Sequence, residues 1–161
     1  SVRRTADSMS HKRILVFEND SDAAELLKAQ FARYDAAVEI VDDGNAGLDR
    51  ARDERPDLIL LCIELKRMNG FSVCNKIKKT DDLKDIPLII MSKDATEETF
   101  DQHKRLRTRA DDYIRKPFEF EELMEKIQPQ VELEVIWGLV QIQQQEMAVV
   151  VVVVAVRFVY F

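Results

Sequence analysis

Residues 56–78 read PDLILLCIELKRMNGFSVCNKIK, and how this stretch is read decides the fold. Pro56-Asp57 punctuates the chain, and Leu58–Ile63 follows as an unbroken apolar run. A short run without alternation fits a strand covered on both faces, since each face then needs apolar side chains. Asn69-Gly70 is a turn signal, and beyond it Phe71, Val73, Cys74 and Ile77 recur at helical spacing. The stretch is one strand–turn–helix unit.

The same unit repeats on either side. Upstream, Ile14–Phe17 is apolar and gives way to Glu18-Asn19-Asp20, after which Ser21 or Asp22 can cap a helix carrying Ala23, Leu26, Leu27, Phe31 and Tyr34. Val38–Val41 reads as a shorter strand, and Asp42-Asp43-Gly44 turns into a helix with Ala46, Leu48 and Ala51. Downstream, Pro87 opens the strand Leu88–Met91, a helix is expected from about Thr96 to Arg107, and Tyr113-Ile114 is a strand. Leu123, Met124 and Ile127 mark the last helix. Five strands alternating with five helices predict right-handed crossovers and a doubly wound parallel sheet of the α/β class. Ligands and chemistry then gather at the carboxyl ends of the strands.

Composition narrows the function classes. The chain has 161 residues, with 24 Lys+Arg against 30 Asp+Glu, a net charge of −6. That length suits one domain, and the acidic balance argues against a nucleic-acid binder, which needs a basic stripe for phosphates. Two cysteines are too few for a disulfide scaffold and suit a reducing cytosol, so a cytoplasmic location is expected. Residues 1–10 read as a flexible polar segment with no signal peptide, Met9 being a candidate natural start. The apolar stretch Met147–Val156 is too short for a membrane span, which takes about 20 residues.

The strand ends carry Glu18-Asn19, Cys62, Ser92 and Lys116-Pro117. With ILVFEND (14–20), IPLIIMS (86–92), ADDYIRKPF (110–118) and the quoted stretch, this order and spacing resembles the receiver domain of bacterial response regulators, the CheY-like superfamily. The resemblance covers residues 11–127. It implies a receiver/flavodoxin-like sheet of order 2-1-3-4-5 and a cis proline after Lys116. It also implies a pocket in which two acidic residues and a strand-three aspartate hold Mg²⁺, that aspartate accepting a phosphoryl group. A hydroxyl and a lysine would bind the phosphoryl oxygens, and an aromatic on strand five would report the change.

Carried over residue by residue, the apparatus is incomplete. Ser92, Lys116 and Tyr113 stand at the hydroxyl, lysine and aromatic positions, and Glu18 at the first acidic one. Asn19 replaces the second acid and Cys62 the phosphoacceptor. A thiol cannot form an acyl phosphate, and a hard cation gains little from sulfur. The expectation is a dismantled pocket with no catalytic residue, no cofactor and no metal, in which Lys116 pairs statically with Glu18. Two alternatives stay open. Glu64 or Asp20 could serve as the acid in place of Cys62, or Cys62, its pKa lowered by Lys116, could act as a redox sensor. Otherwise Cys62 and Cys74 read as buried core, and a disulfide between them is not expected.

Function would then lie on the surface. His103, Lys104, Arg105, Arg107 and Arg109 concentrate basic charge in an acidic chain, either as a solvated face or as a docking patch for an acidic partner. The resemblance favours a protein partner on the face made by the fourth helix, fifth strand and fifth helix. CNKIKKTDDLKDIPLII (74–90) and FDQHKRLRTRADDYIRKP (100–117) are locally similar to the atypical receivers of myxobacterial gliding-motility proteins of the FrzS type. That likeness implies a phosphorylation-independent module in a motility or polarity pathway. Residues 128–161 form an atypical extension in which Val131, Leu133, Val135 and Trp137 alternate before the run Val149–Val154. High β propensity and little charge make it either a strand pair, able to extend the sheet or form a homodimer, or a tail foreign to the domain.

Overall fold

Each apolar run becomes a strand in the computed structural model, which describes residues 11–136. The elements are β1 (Lys12–Phe17), α1 (Ser21–Phe31), β2 (Ala36–Val41), α2 (Gly44–Glu54), β3 (Leu58–Cys62), α3 (Gly70–Lys79), β4 (Leu88–Ser92), α4 (Glu97–Lys104), β5 (Asp112–Arg115) and α5 (Phe120–Ile127). The five strands form one parallel sheet in the order β2-β1-β3-β4-β5. Every residue of β3 and β4 is buried, which is why their sequences do not alternate. Two apolar layers cover the sheet. One holds Leu27, Phe31, Leu60 and Leu123, the other Phe17, Leu61, Ile77 and Phe100.

Helix starts and faces differ from the sequence reading in ways that local chemistry explains. α1 is capped by Asp20, not Ser21 or Asp22, with the carboxylate accepting from the backbone N–H groups of Asp22 and Ala23. Its inward face is Ala24, Leu27 and Phe31, whereas Leu26 is 59% exposed. Tyr34 lies past the end of the helix, where its ring tilts against Phe120. In α2, capped by Asp43, the buried face is Gly44, Gly47, Leu48 and Ala51, and Ala46 points to solvent. Gly47 is required there, since a Cβ would lie 2.0 Å from the Phe17 ring.

Strand β2 begins at Ala36, two residues earlier than its apolar core suggests, because Lys12–Phe17 pairs with it along its whole length. Helix α4 ends at Lys104, short of the expected Arg107. The backbone tightens there, Arg105 N donating to Gln102 O and Leu106 N to His103 O. The next turn is tied to α3, with Thr108 Oγ1 donating to Asn75 Oδ1 and Cys74 Sγ to Thr108 O.

The packed body runs beyond residue 127. Val131 and Leu133 are buried in the layer that holds Phe31 and Phe120. Val135 forms an antiparallel bridge with Tyr34, fixed by Asp35 N donating to Glu134 O (2.7 Å) and Ile136 N to Arg33 O (2.8 Å). The alternation read at 131–135 is real, but it clips onto the turn between α1 and β2 as a single bridge. Trp137 and the Val-rich run, with the strand pair and homodimer expected of them, lie outside the described residues.

Candidate functional site

Parallel pairing brings the ends of β1, β3, β4 and β5 to one edge of the sheet. Glu18 N donates to Val41 O (2.8 Å), holding Glu18 in line with β1, and its side chain is buried. Lys116 N donates to Ser92 O (2.8 Å), and the Lys116–Pro117 peptide is cis. The Lys116 ammonium then reaches across the sheet edge to Glu18 Oε2 at 2.5 Å and lies 3.6 Å from Cys62 Sγ. Burial works to lower the Lys116 pKa, but the hydrogen bond it donates to Glu18 and the nearby charges outweigh it and the net movement is upward.

Cys62 is 2% exposed and its thiol pKa is pushed up to about 11. Burial is the main cause and the Glu18 charge adds to it, while Lys116 offsets only part. A lowered thiol pKa, which the redox reading required, is therefore not found. Cys74 is fully buried, its thiol pushed up to about 12, again by burial. Both thiols are free.

Glu64 does something the sequence only hinted at. It lies two residues beyond Cys62, and its carboxylate accepts from Ser92 Oγ at 2.9 Å and from Lys93 N at 2.8 Å. Ser92 Oγ accepts in turn from Ala95 N (2.9 Å). Asp20, the other candidate acid, is committed to capping α1 through Oδ1. Asn19 is exposed and lines the mouth of a cleft of about 480 Å³, whose apolar wall comes from Leu26, Leu27 and Phe118.

This donor set does not fit Mg²⁺, which takes near-octahedral oxygen ligation with one or two carboxylates. The Glu18 carboxylate is taken by an ammonium group, Asn19 offers only an amide and Cys62 a protonated thiol. Among the described residues, no group of three or more His, Cys, Asp or Glu could hold a metal ion.

Tyr113 is buried, not displayed on the surface. Its hydroxyl accepts from Ala110 N (3.0 Å) and meets His103 Nδ1 at 2.5 Å. Burial, the largest cause, pushes its pKa up to about 12. His103 thus leaves the expected surface patch: it is buried between Phe71 and Tyr113, its pKa is lowered by burial, and its Nε2 has no partner among the described residues. The exposed members are Lys104, Arg105, Arg107 and Arg109, the last three on the turn after α4. Lys104 pairs weakly with Asp101 (3.4 Å) and sits 5.5 Å from the centre of the Tyr113 ring. Arg105 and Arg107 have no ion-pair partner among the described residues.

A five-stranded 2-1-3-4-5 sheet with a polar pocket at the ends of β1, β3 and β5 is a receiver/flavodoxin-like fold. The chain belongs to the response regulator receiver domain family, which matches residues 14–128, and so to two-component signal transduction. It is 36% identical over 114 residues to the response regulator ArlR of Staphylococcus haemolyticus, a match covering 71% of this chain and 50% of the relative. The chain spans about half the length of the curated relatives it matches. Among solved structures, it resembles the receiver domain of a sensor histidine kinase from Pseudomonas aeruginosa, which has a magnesium ion coordinated in its active site cleft. That match has TM-score 0.66 and 25% identity and covers 75% of this chain and 98% of the other. The Vibrio cholerae chemotaxis protein CheY4 shares the fold, with TM-score 0.66 and 21% identity over 76% of this chain and 100% of the other. Among the described residues, no helix is long and apolar enough to cross a membrane.

Proposed function

We propose that this chain is a pseudo-receiver, a cytoplasmic, non-enzymatic module that signals through protein contacts without being phosphorylated. The observation that carries the proposal is Cys62, a buried thiol with its pKa near 11 at the position where a carboxylate would accept the phosphoryl group. The Lys116–Glu18 pair supports it, since the ammonium is held by Glu18 Oε2 and Cys62 while Glu18 Oε1 accepts from Asp20 N. So do the commitments of the two substitute acids, Glu64 to Ser92 and Asp20 to the α1 cap.

The partner surface is the face of α4, β5 and α5. Its basic turn at Arg105–Arg109 supports an acidic protein partner, steered by charge. The local likeness of residues 74–90 and 100–117 to gliding-motility receivers supports a place in a motility or polarity pathway.

The test is incubation with Mg²⁺ and acetyl phosphate, read by intact mass and by NMR. The expected result is no phosphoryl adduct and no Mg²⁺-dependent shift at Cys62. An acid-labile adduct that disappears in Glu64→Gln or Asp20→Asn would overturn the reading and return the chain to phosphorelay chemistry.

A further inference from the structure

We propose that Glu64 is a built-in anion: its carboxylate fills the oxyanion cradle formed by the Ser92 hydroxyl and the Lys93 backbone N–H, and holds the end of β4 in an anion-bound arrangement with no ligand. This rests on the pseudo-receiver reading and extends it from what the pocket has lost to what occupies it.

The geometry is that of a bound oxyanion. Two oxygens of one carboxylate take two separate donors, Ser92 Oγ at 2.9 Å and Lys93 N at 2.8 Å. Ser92 is fully buried, and its hydroxyl accepts from Ala95 N, so its one proton is directed to Glu64. The donors therefore face a single point at the end of β4. Among the described residues, no Lys, Arg or His forms an ion pair with Glu64, and Lys116 is engaged with Glu18 and Cys62. The carboxylate is held by hydrogen bonds alone, as a small oxyanion would be.

The chain delivers Glu64 to this point by backbone constraints. Ile63 N donates to Met91 O (3.0 Å), carrying the β3–β4 pairing one residue past Cys62 and leaving Glu64 beside the end of β4. Gly70 N donates to Ile63 O (2.9 Å), and a Cβ at Gly70 would lie 2.4 Å from Cys62 O, so the loop closes tightly behind Glu64. An anion from solution would have to displace a tethered carboxylate with a high effective concentration. The β4–α4 connection is then set in one state, independent of phosphoryl donors.

The test titrates the full chain, ¹⁵N-labelled, with inorganic phosphate at constant ionic strength, comparing wild type with Glu64→Ala and Glu64→Gln. In wild type, the amides of Lys93 and Ala95 are expected to stay put. In Glu64→Ala they shift saturably, with apparent affinity at least about tenfold above wild type. Glu64→Gln keeps the shape without the charge, so it holds the fold should the alanine variant lose it, and it is expected to bind phosphate between the two. Equal phosphate binding by wild type and the variants, or no phosphate-dependent shift at Lys93 and Ala95 in either folded variant, would overturn the inference. Acetyl phosphate with Mg²⁺ separates the two claims. An adduct on wild type sinks the pseudo-receiver reading, while silent variants without an adduct sink only the role given to Glu64.

Discussion

Replacing Lys116 with Met keeps the length of the side-chain stem and removes only the charge that faces Glu18. The Glu18 side chain is 2% exposed and that of Lys116 19%, so the substitution leaves a largely buried carboxylate without its cation. Removing one partner of a buried pair costs about 3–5 kcal/mol. The cleft beside the pair admits water, which places the expected loss at the lower end, about 3 kcal/mol. For a chain of this size that lowers Tm by about 6–12 °C. Neutralising the other partner as well should restore most of it, because neutral groups of similar volume replace a buried ion pair at little cost. Lys116→Met/Glu18→Gln is therefore expected within about 1 kcal/mol of wild type. Urea unfolding of the four proteins at pH 7, followed by circular dichroism, measures the cycle. A loss below about 1 kcal/mol for Lys116→Met, or no recovery in the double variant, would refute the claim that the pair is a buried structural element. The alkaline limb gives a second reading. The folded Lys116 pKa is raised above its ordinary 10.5, so its contribution is complete below that value. It is lost as pH rises through the folded pKa.

Three further outcomes follow from the packing. Gly70→Ala sets a Cβ against the backbone of Cys62 and Ile63, neither of which can move aside, and is expected to cost upwards of about 3 kcal/mol in chemical unfolding. Leu133→Ala removes a buried contact beside Phe31 and Phe120 and should cost about 2–3 kcal/mol, while a loss near zero would mean that residues 131–136 are not part of the body. Burial lowers the folded His103 pKa, so its contribution is full above pH about 6.5 and declines as pH falls through the folded value. Melting curves between pH 7.5 and 5.5 should show that decline, and His103→Gln should flatten it.

What the sequence made legible follows from the range of the interactions involved. The strands were readable because β3 and β4 are covered on both faces, and only continuous apolar runs satisfy that. The sheet order came with the family resemblance, and the strand-end residues followed from the two together. Leu26 misled because helical spacing alone cannot tell the face turned to the sheet from the face lining a cleft. His103 looked like part of a basic surface because its neighbours are basic, whereas its burial depends on Phe71 and Tyr113, distant in sequence or on another element. The attachment of Glu64 to Ser92 spans 28 residues. Its only trace in the sequence was an acid two places beyond the strand end, and the direction of its side chain was set by the β3–β4 pairing.

The clip at residues 134–136 bears on how motion would leave this domain. A chain departing straight from the end of α5 could swivel freely about its last turn. Here the departing backbone is bolted to Arg33 and Asp35, at the foot of the same helix whose opposite end is capped by Asp20 at the pocket. α1, about 16 Å long, thus joins Asp20 at the pocket to the turn that anchors residues 134–136. A tilt of that helix would carry residues 134–136 with it, because their backbone is hydrogen-bonded at its foot.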